Sequence, residues 1–209
     1  MFELGSGMTP PSRAPARRAD ARRNVQAIIR AATECLGRRP DATLAEIAEA
    51  AGVGRVTLYG HFSSRAELLD AVMAHVLEHG NSVLDPVDLS GEPRAALARL
   101  VEASWEVLDQ SRSILAAAQK ELTPGRIREL HEAPAARVAG LVERGRSEGA
   151  FRDDLPVSWL VVTLHNLMHG AADEIHAGRL TADEAPRFIA ATALAAFTPP
   201  GRRVPRPRT

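Results

Sequence analysis

The chain has 209 residues, 45% of them hydrophobic and 25% charged, a composition that excludes a disordered chain and allows a core in one or two domains. No apolar run approaches the roughly 18 residues of a membrane span, and no signal-peptide core follows the early arginines. The lone Cys35 cannot form an intrachain disulfide, so we expect a reduced, cytoplasmic protein without membrane contact.

The formal net charge of zero hides an uneven distribution. Residues 13–65 carry ten arginines and five acidic residues, whereas residues 66–201 carry twelve basic and twenty acidic residues. A basic amino-terminal segment on an acidic remainder suits a protein that presents one end to a polyanion. A random distribution of surface charge could give the same numbers, so this interpretation needs the support of a sequence motif.

The amino-terminal residues divide into a tail and a first helix. Residues 1–19 combine Gly, Ser, Pro and Arg without periodicity, which predicts a flexible basic tail. From Asp20 to Leu36 the apolar residues keep helical spacing, and Gly37 follows as a stop signal.

Residues 43–62 predict two short helices joined by a glycine turn. Apolar residues at i, i+3, i+4 and i+7 form one face of the first helix, with Thr43 as its natural N-cap. Gly52 supplies the left-handed position that ends this helix, and the second helix is expected from about Gly54.

The second helix has two faces of different chemistry. Its inward side is expected to hold Leu58 and Phe62 together with either Val53 or Val56. Its outward side then carries polar and aromatic residues that suit phosphates and base edges: Arg55, Thr57, Tyr59 and His61.

The run AxxxGVxxxTLYxHFxxR, from Ala48 to Arg65, resembles the helix-turn-helix of the tetracycline-repressor (TetR-like) family of transcriptional regulators. The likeness covers about residues 20–80. Gly54 departs from the family pattern because Ser or Thr usually caps this helix, and Gly60 departs from it because it lies inside the helix. The resemblance implies that the second helix recognises a near-palindromic operator in double-stranded DNA.

DNA contacts are expected from both helices of the motif. We expect Arg55 and Thr57 nearest the bases. Phosphate contacts are expected from the other candidate residues, namely Tyr59, His61, Arg65, Thr43 and the backbone N–H groups at Gly54.

The remainder of the chain predicts an all-α body. Ser64 opens a capping box, and an amphipathic helix follows to about His79 and links the DNA-binding domain (20–80) to the body (81–198). Further helices are expected at about 93–109, 111–122, 126–148 (with Pro134 as a kink or a restart), 156–178 and 182–197. Residues 199–209 combine Pro and Arg and predict a disordered tail.

The last two predicted helices indicate self-association. Apolar residues surround most of helix 156–178, and helix 182–197 has a face of small residues, more apolar surface than one small domain can cover. The resemblance likewise implies a homodimer whose interface is a four-helix bundle. The expected interface residues are Trp159, Val162, Phe188, Ala191, Thr192 and Ala195.

A pocket for a small-molecule effector is expected among the body helices. Its expected lining is Trp105, Leu108, Leu115, Gln119, Leu141, Asn166 and His169. His165, His169 and His176 share one side of their helix, which would also allow a metal site, but no further ligand is evident in the sequence. We therefore expect no bound metal and no cofactor.

The sequence favours a DNA-binding regulator over an enzyme, because it contains no phosphate-binding glycine loop and no nucleophile motif. The most favoured function is a repressor that releases its operator when a ligand enters the body. A ligand-independent DNA-binding regulator and a metal-responsive regulator that uses the histidine line remain as alternatives.

Overall fold

A computed structural model describes residues 13–203 of the chain, without the side chains of residues 13–18 and His176. Within these residues the fold is entirely helical, which confirms the predicted all-α class. The helices are α1 (Arg13–Arg38), α2 (Leu44–Ala50), α3 (Arg55–His61), α4 (Arg65–Leu84), α5 (Pro93–Glu121), α6 (Pro124–Leu130), α7 (Glu132–Ser147), α8 (Val157–His176) and α9 (Ala185–Phe197). Across the described range, no helix is long and apolar enough to cross a membrane.

The first helix is longer than the sequence predicts. It begins at Arg13, seven residues before the expected start at Asp20, so residues 13–19 of the expected tail are helical. The rest of the expected tail, residues 1–12, lies outside the described residues, as do residues 204–209 at the other end.

The amino-terminal helices share one core, here called the head core. It contains Leu36 of α1, Ile47 of α2, Leu58 of α3 and Leu69 of α4, all buried. The end of α5 also enters it, because Ile114, Ala117 and Ala118 pack there. A helix of the body therefore reaches into the head.

Helix α4 crosses the boundary that the sequence predicts near residue 80. It continues to Leu84, whereas the sequence predicts a loop from Gly80. Gly80 is buried in a close contact between helices, since a Cβ atom there would lie 2.7 Å from Cγ1 of Val107 on α5. This glycine thus allows α4 and α5 to pack tightly and does not end the helix.

Helix α5 is a single element where the sequence predicts two. It runs without interruption through residues 110–111, and the Ser111 hydroxyl donates to the Val107 carbonyl oxygen at 2.7 Å. A break follows instead at His131, which separates α6 from α7. The expected Pro134 position is therefore a restart, with the proline in the first turn of α7, where its missing N–H costs no hydrogen bond.

The second core holds the body together. Its buried residues come from α5, α7, α8 and α9 and include Trp105, Leu141 and Phe197. The Phe151 ring packs edge-on against Phe197, with 5.7 Å between ring centroids. Helices α8 and α9 close this core from one side and leave their other faces outward.

Candidate DNA-binding surface and ligand cavity

Helix α2 begins with a complete capping box. The Thr43 hydroxyl accepts the Glu46 N–H at 3.3 Å, and the Glu46 carboxylate accepts the Thr43 backbone N–H at 2.7 Å. Hydrogen bonds from the Thr43 backbone, from Arg39 and from the Thr43 hydroxyl lower the Glu46 pKa to about 2. The Thr43 side chain is thus occupied within the protein, and its expected phosphate contact stays a prediction.

The turn between α2 and α3 follows the sequence prediction. Gly52 has a φ of +68°, the left-handed conformation expected of a helix-ending glycine. The Val53 N–H donates to the Ala48 carbonyl oxygen at 3.0 Å and closes the turn. Helix α3 then begins at the cap residue Gly54.

The core-facing side of α3 is formed by Leu58 and Phe62, both buried in the head core. Of the two valines that the sequence offers for this side, Val53 packs against the head core, whereas Val56 is 88% exposed. Val56 therefore points outward, and the alternative that placed it inside is wrong. The reason is angular, because Val56 lies about 160° from Leu58 around a helix of 3.6 residues per turn.

The outward side of α3 carries the expected polar residues. Arg55, Thr57 and Tyr59 are exposed and His61 is half-buried. Arg55 forms no ion pair or side-chain hydrogen bond with other described residues, so its guanidinium is open to an external acceptor. DNA contact by these residues stays a prediction.

Arg65 takes a different position from the expected one. Its guanidinium donates to the backbone carbonyl oxygens of Pro40, at 2.9 Å, and of Ala42. It also lies 3.7 Å from a Glu121 carboxylate oxygen at the end of α5, and its side chain is only 25% exposed. These contacts place the guanidinium against the protein, so Arg65 supports the segment before α2, a role that does not fit the expected phosphate contact.

The body contains a cavity of about 250 Å³ between α4, α5, α7 and α8. Four of the expected lining residues are present: Leu108, Leu115, Gln119 and His169. The other three expected residues do not line it. Trp105 and Leu141 are buried in the second core, and Asn166 is exposed.

Helix α4 contributes a wall of the cavity that the sequence analysis missed. Met73, Val76, Leu77, Gly80, Asn81 and Leu84 all line it. The apolar periodicity of α4 contained this information, but the periodicity alone does not separate a residue that faces a core from one that faces a cavity.

Three histidines meet on one side of the cavity. The rings of His165 and His169 are 4.2 Å apart, and His131 lies 5.4 Å from His165 and 6.4 Å from His169, between ring centroids. Burial, followed by the charges of His165 and His131, lowers the His169 pKa to about 4. Burial also lowers the His165 pKa. Both shifts favour the neutral form of these rings at pH 7.

The expected histidine line is only partly reproduced. His165 and His169 lie together, but the side chain of His176 lies outside the described residues, and the third ring comes from His131 at the α6–α7 break. Within the described part of the chain, no group of three or more His, Cys, Asp or Glu side chains has an arrangement that could hold a metal ion.

Helices α8 and α9 present apolar side chains to solvent. Trp159 is 58% exposed and Phe188 43% exposed, and Val162 is exposed between them in sequence. Thr192 and Ala195 are also exposed, and Ala191 is half-buried. Their role in an interface stays a prediction.

The fold and the two sites define a class of protein, an all-α chain with a helix-turn-helix head and a helical body around a cavity. A model of the family described as "Bacterial regulatory proteins, tetR family" matches residues 28–72, which include α2, the turn and α3. Residues 28–72 of the chain thus match the TetR family model, which confirms the resemblance carried by the motif.

The chain is similar to known members of this family. The transcriptional repressor LfrR of Mycolicibacterium smegmatis is 40% identical over 101 residues, 48% of this chain and 52% of LfrR, so the match spans about half of that relative. A solved structure of LfrR from Mycobacterium smegmatis in complex with proflavine covers 87% of this chain and 98% of LfrR, with 25% identity and a TM-score of 0.61. The structure of FadR from Bacillus subtilis in complex with stearoyl-CoA, at 15% identity and TM-score 0.68, covers 82% of this chain and 98% of FadR and shares the fold.

Proposed function

We propose that this protein is a homodimeric transcriptional repressor that binds a near-palindromic DNA operator and releases it when a small molecule enters the body cavity. Support for DNA binding comes from the helix-turn-helix, whose outward residues include Arg55, which has no partner among the described residues, and from the excess of arginine in residues 13–65. A second helix that presents exposed polar residues beyond a fixed turn is the geometry of a recognition helix in the major groove.

The observation that carries ligand control is the position of α4. Its first turns pack in the head core through Leu68, Leu69 and Val72, and its later turns line the cavity from Met73 to Leu84. A ligand that moves the later turns must also displace the earlier turns, because a helix transmits displacement along its axis as a rigid element. The head, and with it α3, would then change its angle relative to the body.

A second contact couples the cavity to α4. Arg126 of α6 forms two hydrogen bonds with Asp70 of α4, Nε to Oδ1 at 2.6 Å and Nη2 to Oδ2 at 3.1 Å. Helix α6 ends next to His131, which lines the cavity. The cavity is therefore connected to α4 both directly and through this bidentate ion pair.

The cavity suits a ligand that combines an apolar body with polar or charged groups. Leu, Val and Met side chains make up the largest part of its lining, and its polar side includes Gln119, the three histidines and the charged residues Arg112, Arg137 and Asp173. The solved structures of LfrR and FadR are complexes with proflavine, an aromatic dye, and with stearoyl-CoA, a long-chain acyl thioester. We infer that aromatic dyes and long acyl chains are the first compounds to test.

The homodimer is inferred from the exposed face of α8 and α9. Trp159 and Val162 of α8 and Phe188 of α9 are exposed large apolar side chains that no other described element covers. A second copy would bury them symmetrically and would set two recognition helices about 34 Å apart, which is the spacing of successive major grooves.

The test begins with selection of bound fragments from a random DNA library by the purified full chain. Fluorescence anisotropy with the selected operator then measures release by proflavine and by stearoyl-CoA. Ala135→Leu fills the cavity and should reduce the ligand effect at least tenfold, whereas Ala136→Leu, on the exposed side of the same helix, should not. Failure to select any DNA would contradict the proposal, and release that is equal in both variants would contradict the cavity as the ligand site.

A further inference from the structure

Val56 is the most exposed large hydrophobic residue in the described part of the chain, at 88%. Six large hydrophobic residues are exposed there: Val56, Tyr59, Val83, Trp159, Val162 and Phe188. Three of them form the α8–α9 face, and two lie on α3. Among the described residues, Val56 and Tyr59 are therefore the two exposed large hydrophobic residues of the proposed DNA-binding surface.

The orientation of Val56 is fixed by the residues that face the core. Leu58 is fully buried, and each residue turns the helix by about 100°, so Val56 and Gly60 both lie about 160° from Leu58. They form the outermost line of α3. Thr57 and Tyr59 flank this line, whereas Arg55 and His61 lie nearer to the sides.

The space in front of Val56 is open. Gly60 follows one turn later on the same line, and a Cβ atom built on it would have no heavy atom within 4 Å. Because Gly60 has no side chain, no second side chain on this line holds the helix away from an approaching surface, and Thr57 and Tyr59 lie to either side of the line. An approaching base edge can therefore contact the two methyl groups of Val56.

Val56 contributes little to the stability of the head. Its side chain buries almost no area, and a β-branched residue lowers helix propensity in a helix that already contains a glycine. A partner can therefore contact the Val56 side chain without disturbing the head core.

From this geometry we propose that Val56 reads the 5-methyl group of a thymine in the major groove. The methyl group of thymine is the only apolar group that an unmodified base pair presents in the major groove, and aliphatic side chains contact it directly. Val56 carries no donor or acceptor, so it discriminates by apolar contact and by exclusion of polar base edges. This inference rests on the proposed function, because it requires α3 to enter the major groove.

Uracil scanning of the selected operator tests the contact. Each thymine is replaced by uracil in both half-sites, which removes only the methyl group and preserves the pairing. We expect one symmetric position at which uracil weakens binding of the unmodified protein about three- to tenfold per half-site, the effect of one lost methyl contact. At all other thymines the affinity should be unchanged.

Val56→Ala and the uracil substitution together form a double-mutant cycle. Val56→Ala should weaken binding to the thymine operator by a similar factor and lose no further affinity when uracil replaces the sensitive thymine. Val83→Ala makes the same change at an exposed valine on α4 and should leave the affinity and the uracil response unchanged. Because Val56 is exposed and alanine is the better helix former, circular dichroism should give a melting temperature for Val56→Ala that equals that of the unmodified protein or is slightly higher.

The outcomes separate this inference from the proposed function. If the protein selects an operator but uracil is tolerated at every thymine, or if the losses from uracil and from Val56→Ala multiply, the methyl contact is wrong and the repressor proposal stands. If no DNA is selected at all, both are overturned.

Discussion

At the scale of single residues, Arg55 and Arg65 illustrate how one residue type serves two purposes. Both belong to the motif, and the sequence predicts a DNA contact for both. Arg55 has no protein partner among the described residues, whereas Arg65 donates to two backbone carbonyl oxygens and lies near Glu121. The sequence could not separate them, because the partners of Arg65 lie 23 to 56 positions away along the chain.

Arg65→Ala should destabilise the head by about 1 to 3 kcal/mol, because it leaves the carbonyl oxygens of Pro40 and Ala42 without their donor. Thermal denaturation measures this loss. At a temperature where the variant is folded, the salt dependence of operator binding should stay unchanged. Arg55→Ala is the matched control, with normal stability but operator binding weakened by about 1 to 3 kcal/mol and with relaxed base preference. If the operator affinity of fully folded Arg65→Ala depended less steeply on salt concentration, Arg65 would contact a phosphate as first expected.

His169 predicts a specific pH dependence of stability. Its pKa is about 4 in the folded protein, against about 6.5 in an unfolded chain. As the pH falls from about 6.5 to 4, the unfolded chain binds a proton that the folded protein excludes, so stability present above pH 6.5 is lost over this range. Below pH 4 both states are protonated and the loss ends.

Denaturant unfolding of the unmodified protein and of His169→Leu at pH 7 and pH 5 measures this contribution. The unmodified protein should lose on the order of 1 kcal/mol more than the variant between these pH values, after allowance for the partial exposure of the ring. Equal pH dependence in the unmodified protein and in His169→Leu would show that this ring titrates normally.

At the scale of the helices, glycine positions decide how closely the elements pack. Gly145 of α7 is buried, and a Cβ atom there would lie 2.1 Å from the Phe151 ring. The Gly145 carbonyl oxygen also accepts the N–H groups of Ala150, at 2.7 Å, and Phe151, at 3.0 Å. This glycine therefore fixes the turn that brings Phe151 back onto α7.

Gly145→Ala should destabilise the protein by about 1 to 3 kcal/mol, because Phe151 is held in the second core by Phe197 and has no room to move. Gly140→Ala on the same helix meets no atom within 4 Å and should be neutral or stabilising by up to about 1 kcal/mol. Melting temperatures of the two variants test the contrast. Equal stability in both would mean that the ring of Phe151 moves freely.

The predictable part of this fold is the part with local signals. Thr43, Gly52 and the spacing of apolar residues identify the ends of α2 and the start of α3, because caps and turns depend on neighbours in sequence. The sequence wrongly predicts a helix end at Gly80, because the role of this glycine depends on Val107 in another helix. The cavity is likewise set by packing, and so the sequence identified four lining residues but included Trp105 and Leu141, which belong to the core.

At the scale of the whole molecule, the proposed mechanism needs two heads at a fixed separation. One helix of seven residues can contact few base pairs, so in the proposed mechanism operator affinity would depend on simultaneous binding of two half-sites. The exposed face of α8 and α9 lies on the body, so the proposed dimer interface and the proposed DNA-binding surface are separate. Variants can therefore remove one function and leave the other.

Ala195→Arg should dissociate the dimer, because it places a guanidinium at an exposed position of α9 near Phe188, where a second copy would have to bury an unpaired charge. Sedimentation should show a monomer with unchanged helical content, and operator affinity should fall at least a hundredfold while weak binding to a single half-site persists. Ala136→Arg makes the same change on the exposed side of α7 and should sediment and bind DNA as the unmodified protein does. Because Trp159 is exposed on α8, within the proposed interface, its fluorescence should shift to the red in the Ala195→Arg monomer relative to the unmodified dimer. A variant that still sediments as a dimer, with unshifted fluorescence, would place the interface on another surface of the body.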